Sequence, residues 1–271
     1  MFSIIKAGMA AARNELSVIS NNVANSNTTG FKKSIASYAD LAPSSLSDSI
    51  QASSSGLGAI VEDTRLSQTQ STLLNTEKKT DLGLAGNGFF IVRNPKDSMT
   101  SFTRNGTFSL NESGFLTTSD NCYVLGKPLV DGEFSTENLD IDGLLPIQIP
   151  ATKDDEVMSN LTIEEDGKIS AQYGDETPPV AIGTIGLGLF ANPEALRELG
   201  NARYAASQKS GALQIGSPTD AGFAAVKSGS LEVSNVDITD ELTAMIRAQQ
   251  QFNGAARLLQ TNSELLEKLT R

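Results

Sequence analysis

The chain contains no histidine and no tryptophan, and only one cysteine, Cys122. Without histidine it lacks the side chain that titrates nearest neutrality and most often ligates metals, which excludes histidine-dependent triads and zinc sites within the chain. One cysteine forms no internal disulfide, so the fold must stand on packing. Cys122 lies in Asn121-Cys122-Tyr123-Val124-Leu125, which reads as a strand, and is expected to be a buried thiol acting as a small hydrophobe. Basic residues are scarce too: 21 against 32 acidic ones, for a net charge of −11. That balance repels phosphate backbones and argues against nucleic acid as a partner. No stretch approaches the roughly 20 apolar residues of a membrane span, so no direct membrane insertion is expected. Met1 to Lys6 does not lead into a long apolar core with a small-residue cleavage site, so no cleaved signal peptide is expected.

What the chain does have is 271 residues, enough to bury a real core, and two different residue patterns. Near the start, Ile5, Met9, Ala12, Leu16, Ile19 and Val23 are spaced alternately four and three apart, the seam of a helix expected from about Ser3 to Asn25. Ser26-Asn27-Thr28-Thr29-Gly30 then ends it, with glycine at a position suited to a left-handed cap. Asn21, Asn22 and Asn25 in its last turns either contact solvent or hydrogen-bond backbone at a packed seam. Near the end, Ile238, Leu242, Met245, Ala248, Phe252, Ala255, Leu259, Asn262, Leu266 and Leu269 form a second seam. Asp237 is the expected N-cap, with Asp240 and Glu241 in the first turn and Lys268 near the other end. A helix of about 30 residues is on the order of 45 Å long, more than one compact β domain can cover. These two seams are the candidate assembly interface, packing against each other or against copies of the chain.

The middle reads as short strands. Gly86-Asn87-Gly88-Phe89-Phe90-Ile91-Val92 is a buried strand bounded by glycines. Asn105-Gly106 between Phe102-Thr103-Arg104 and Thr107-Phe108-Ser109-Leu110 predicts a hairpin, as does Asp166-Gly167 between residues 161–164 and 168–171. Glu112-Ser113-Gly114 predicts a further turn. Val180 to Phe190 predicts a long strand bent at its glycines. Asn192 as cap, Pro193 at the first position and Gly200 past the end predict a short helix of two turns. The expected fold is α+β: N- and C-terminal helices in a coiled-coil-like pair, an extended arm, and a central, mostly antiparallel β domain. Residues 1–34 with 228–271 form the expected terminal helical assembly domain. Residues 35–85 form a linker and extended arm, serine-rich between 43 and 55, and residues 86–227 the β-rich domain.

Chemistry finds little to rest on. The acidic clusters Asp154-Asp155-Glu156, Glu164-Glu165-Asp166, and Asp140 with Asp142 lack calcium-loop spacing and read as solvated surface. Gly86-Asn87-Gly88 and Gly186-Leu187-Gly188 lack the full spacing of a phosphate loop and open no helix. No nucleophile has an evident base. No catalytic residue, metal site or cofactor is expected.

Three segments carry a resemblance. Asn21-Asn22-Val23-Ala24-Asn25-Ser26-Asn27-Thr28-Thr29-Gly30-Phe31-Lys32 resembles the N-terminal signature of bacterial flagellar rod and hook proteins. Gly88, Phe89 and Phe90, followed by Phe102-Thr103-Arg104-Asn105-Gly106-Thr107-Phe108, are similar to that family's central segment. The stretch from Ser228 to Asp237, with Ser234, Asn235 and Val236, looks like its C-terminal segment. The resemblance implies a structural subunit of the flagellar basal-body rod, distal before proximal. Such a subunit polymerises through its terminal helices into a helical tube that transmits torque and encloses the export channel. A short hook-type protein, or a secreted oligomeric binding module, is the alternative. Implied partners are copies of itself, neighbouring rod and hook proteins and the flagellar export apparatus, with periplasmic ring proteins as further candidates. The implied location is the basal body spanning the periplasm, reached by type III export without a cleaved signal.

Overall fold

A computed structural model describes residues 2–40, 58–130, 133–134, 141–153, 156–174 and 178–269. The serine-rich connector, Asp140 and the pair Asp154-Asp155 lie outside the described residues. The chain divides into two compact units. One is Met1–Ser26, Lys33–Ser67 and Val236–Arg271; the other is Asn27–Lys32 and Gln68–Asn235. The architecture is α+β, with a helix at each end and a central antiparallel β domain.

In the first unit, helix α1 spans Phe2–Ala24 and helix α2 spans Ile238–Leu269. Along α1 the spacing of apolar residues becomes a packed stripe: Ala12 and Ile19 are buried, and Ile5, Met9, Leu16 and Val23 half-buried. On α2 the inward track runs through Glu241, Met245, Ala248, Phe252, Ala255, Leu259 and Asn262, while Ile238, Leu242 and Leu266 are exposed. The Asp237 carboxylate accepts hydrogen bonds from the Thr239 and Asp240 amides at 2.8 and 3.3 Å, capping the otherwise unpaired first turn. Strands Ser34–Asp40 and Ala59–Leu66 pair antiparallel beside the helices, with one irregularity near Ser37.

The second unit holds the main sheet, in the order Thr152–Lys153, Glu156–Ile163, Lys168–Tyr173, Val180–Ile185, Tyr123–Val130, Phe89–Arg93, Thr100–Thr103, Arg203–Ala205, Arg197–Gly200. Leu82, Leu84, Phe90, Val92, Leu116, Val124, Ile169, Ile185 and Leu187 fill its core. The hairpin at Asp166-Gly167 forms, with Gly167 at φ 76°. The predicted strand from Val180 breaks at Gly186, sending Leu187–Phe190 to pair with different neighbours. Within the stretch expected as arm, Leu73–Asn75 pairs with Ser230–Glu232 and Leu82–Ala85 with Ala225–Ser228.

Two local expectations are corrected. Asn105-Gly106 makes no hairpin: Thr100–Thr103 pairs with Phe89–Arg93 and Arg203–Ala205, whereas Phe108–Leu110 pairs with Leu116–Thr118. The Asn105 carboxamide accepts from the Thr107 amide, and Gly106 crosses against Leu82, whose amide it accepts at 3.0 Å. The predicted two-turn helix after Asn192 is only a 3-10 turn, Pro193–Ala195, without a side-chain cap. Arg197–Gly200 instead forms a strand paired with Arg203–Ala205, and Asn201-Ala202, both at positive φ, make the turn. Sheet pairing there outweighs a helix too short to hold itself.

Candidate functional site

The three motifs, far apart in sequence, meet inside the β-rich unit around one carboxylate. Glu232, wholly buried in the strand Ser230–Glu232, receives Lys32 Nζ on Oε1 at 2.7 Å and Arg104 Nη1 on Oε2 at 3.2 Å. The Ser71 amide also donates to Oε1 at 3.0 Å, and the Gly30 amide donates to the Glu232 carbonyl at 2.8 Å. Lys32 Nζ and Arg104 Nη2 also donate to the carbonyls of Thr69 and Gly86, both at 2.9 Å, whereas the buried Arg104 Nε has no partner among the described residues. Three segments, at residues 30–32, 71 and 104, are thus held by one side chain and its own backbone.

The site carries two cations for one anion. Burial pulls the pKa of both Lys32 and Arg104 down, against the raising effect of Glu232. Such a cluster depends on its ion pairs and hydrogen bonds, because a buried ion stripped of its counter-charge is not rescued by solvent. Arg104 also lies 5.3 Å over the Phe89 ring, whose edge-on neighbours are Phe190 and Tyr204. The Tyr204 hydroxyl accepts from the Lys32 amide at 3.3 Å, and burial pushes its pKa well up, keeping the phenol neutral.

This geometry accounts for the motif residues individually. Gly30 sits at φ 68° with the Arg104–Asn105 backbone against it, so a β-carbon has no room. Phe31 is buried, and its carbonyl accepts from the Asn235 amide at 3.4 Å. Phe90 meets Phe108 edge-on in the core, and Gly88 has φ 134°. Ser234 is buried, and its carbonyl accepts from Ser71 Oγ. Val236 is half-buried, whereas Asn21 and Ala24 are exposed.

Asn22 serves the other unit. Its carboxamide accepts from the Ser34 amide and donates to the Ser34 carbonyl, both at 2.9 Å, and also donates to Glu241 at 3.1 Å. The Asn25 carboxamide donates back to the Asn21 carbonyl and side-chain oxygen. Sequence reasoning passed over Glu232, Arg104, Tyr204 and Glu241 as site residues. The signal was a charge inside an apolar, glycine-rich motif; for Glu241 it was the four-and-three spacing, hidden by looking only for apolar residues.

The junction's carboxylate accepts three donors, two on Oε1 and one on Oε2, and no cluster among the described residues could hold a metal ion. Cys122 is buried, with Arg203 Nη1 at 3.0 Å from its sulfur, and its pKa is raised by burial and by Asp120. Glu164 and Glu165 are exposed, and Asp166 pairs with Lys168. What remains is a surface. Ile246, Leu258 and Leu265, with Ile238, Leu242 and Leu266, leave large apolar side chains exposed on α2, up to 62% at Leu258.

Comparison with known proteins agrees with the three motifs. The family described as the flagellar hook protein FlgE/F/G D1 domain matches residues 83–171. The flagellar basal body rod FlgEFG protein C-terminal family matches residues 227–271, and the flagella basal body rod protein family residues 7–32. The flagellar basal-body rod protein FlgG of Bacillus subtilis is 33% identical over 97% of this chain and 95% of its own length. That of Buchnera aphidicola subsp. Baizongia pistaciae is 31% identical over 98% and 97%. The flagellar hook protein FlgE of Helicobacter pylori is 35% identical, but over 51% of this chain and 20% of its own length. The chain belongs to the flagellar basal-body rod and hook protein family.

Proposed function

We propose that the chain is a structural subunit of the flagellar rod, of the kind named FlgG, which polymerises through α1 and α2 into a helical tube. The observation that carries this reading is the end-to-end likeness to rod proteins, set beside an α2 that keeps large apolar side chains in solvent. Isolated apolar residues on a surface need no explanation, but α2 carries apolar side chains on both flanks of its packed face, Ile238, Leu242 and Ile246 on one and Leu258 and Leu265 on the other, which leaves further packing surface. A head-to-tail contact that does not close on itself yields a tube. Copies of the chain and neighbouring rod and hook proteins fill that surface. The export apparatus and the periplasmic rings are the further partners this role brings, and the chain works as a mechanical part, not a catalyst. The hook-type reading is weaker, because the hook protein's likeness stops at half of this chain.

Leu258→Asp and Leu265→Asp test the reading without touching the buried stripe. Electron microscopy and sedimentation should find tubes for the parent protein and none for either variant, with the urea transition of the β-rich unit unchanged. Tubes from both variants would sink it.

A further inference from the structure

We propose that Glu232 is the hub of a latch that opens and closes as a local unit, separately from the main sheet, and that fastens the chain where it leaves the β-rich unit at Lys32 and Asn235. The argument starts from who contacts whom. The Glu232 carboxylate and carbonyl collect Gly30, Lys32, Ser71 and Arg104, up to 202 positions away in sequence, since 232 − 30 = 202. Asn235 adds a second tie through the Phe31 carbonyl and the Thr69 carbonyl and hydroxyl. Few of these groups belong to the main sheet: among the described residues Ser230–Glu232 pairs with Leu73–Asn75, in a separate two-stranded ladder, and the Lys32 amide alone reaches a main-sheet residue, Tyr204.

Charge makes the hub conditional. Glu232 is the single carboxylate in ion-pair reach of Lys32 and Arg104 among the described residues, and all three are buried. Without its negative charge two buried cations face each other with no counter-ion, which costs far more than losing one hydrogen bond. A chain that has folded its sheet but not yet placed Glu232 therefore keeps residues 27–32 and 69–71 loose; placing it fastens them together. The latch stands whether or not the protein forms tubes.

Three amides report on it directly: Gly30, Lys32 and Ser71, each donating into the junction. Leu116 and Ile185, bonded to the Ile147 and Gly167 carbonyls, report on the body's main core. Hydrogen exchange of the full chain, measured residue by residue for wild type, Glu232→Gln and Glu232→Asp, separates the cases. In Glu232→Gln the three junction amides should exchange more than about 100-fold faster, while the two core amides stay within about threefold. Glu232→Asp keeps the charge on a shorter arm, and should fall between wild type and Glu232→Gln at the junction amides alone. An unfolded Glu232→Gln protein, or junction and core amides accelerating together in either variant, would make Glu232 an ordinary member of one cooperative core. Unchanged junction amides would show that the charge holds nothing.

Discussion

At Gly106 the backbone passes so close to Leu82 that any β-carbon would collide with the Leu82 carbonyl. Neither side of that contact is a flexible side chain, so Gly106→Ala must move backbone. The expected cost is at least the roughly 1–3 kcal/mol typical of overpacking, read from the urea transition of the β-rich unit. Sequence alone saw a glycine suited to a turn; the close approach needs a partner 24 positions away, since 106 − 82 = 24. Asp120 offers a pH test. Burial alone would raise its pKa, but the Thr118 hydrogen bond and the charge of Arg203, 3.0 Å away, together hold it below the ordinary 3.8. A carboxyl whose folded pKa is depressed contributes stability above its unfolded value and loses it as pH falls through the folded one. Asp120→Asn should therefore flatten the fall in stability below about pH 4; an unchanged acid limb would show that the ion pair contributes nothing.

Among the elements, the two helices were legible because their signals are local. Four-and-three spacing and a capping aspartate lie within a few residues of what they control, whereas Gly30, read as the end of α1, lies six residues past Ala24 and serves the close approach to Arg104 and Asn105 instead. Asp237→Ala should cost the terminal unit about 0.5–2 kcal/mol through loss of the cap, followed by circular dichroism at the helix band. Asn22→Ala should cost more, about 2–4 kcal/mol, because it leaves the Ser34 amide and carbonyl and one Glu241 oxygen without this partner in a buried setting. Equal effects from the two substitutions would contradict Asn22's place as the polar tie between α1, α2 and the strand Ser34–Asp40. Strand partners were less legible than strands. Asn105-Gly106 has hairpin chemistry, but the flanking strands find better partners elsewhere. Pro193 with Gly200 has helix punctuation, but residues 197–200 gain a sheet ladder instead. In both cases tertiary pairing overrides local preference.

For the whole molecule, the family was written in three short motifs, while the reason they belong together was not. Lys32, Arg104 and Glu232 sit in different motifs, and only folding shows that they share one buried site. The tube-forming reading rests on a mismatch the sequence did show. At 32 residues α2 is about 48 Å long, against about 35 Å for the 23 residues of α1. Residues 263–268 are all exposed. A long helix end without packing frays, so polymerisation should raise the helical signal per chain. A helix content identical in monomer and tube would contradict that. The most direct test of the central claim is electron microscopy of isolated hook–basal bodies from the source bacterium, with an epitope inserted at the exposed Lys96-Asp97. The account predicts antibody label ringing the rod; a rod free of label, with the tagged protein found elsewhere in the envelope, would contradict it.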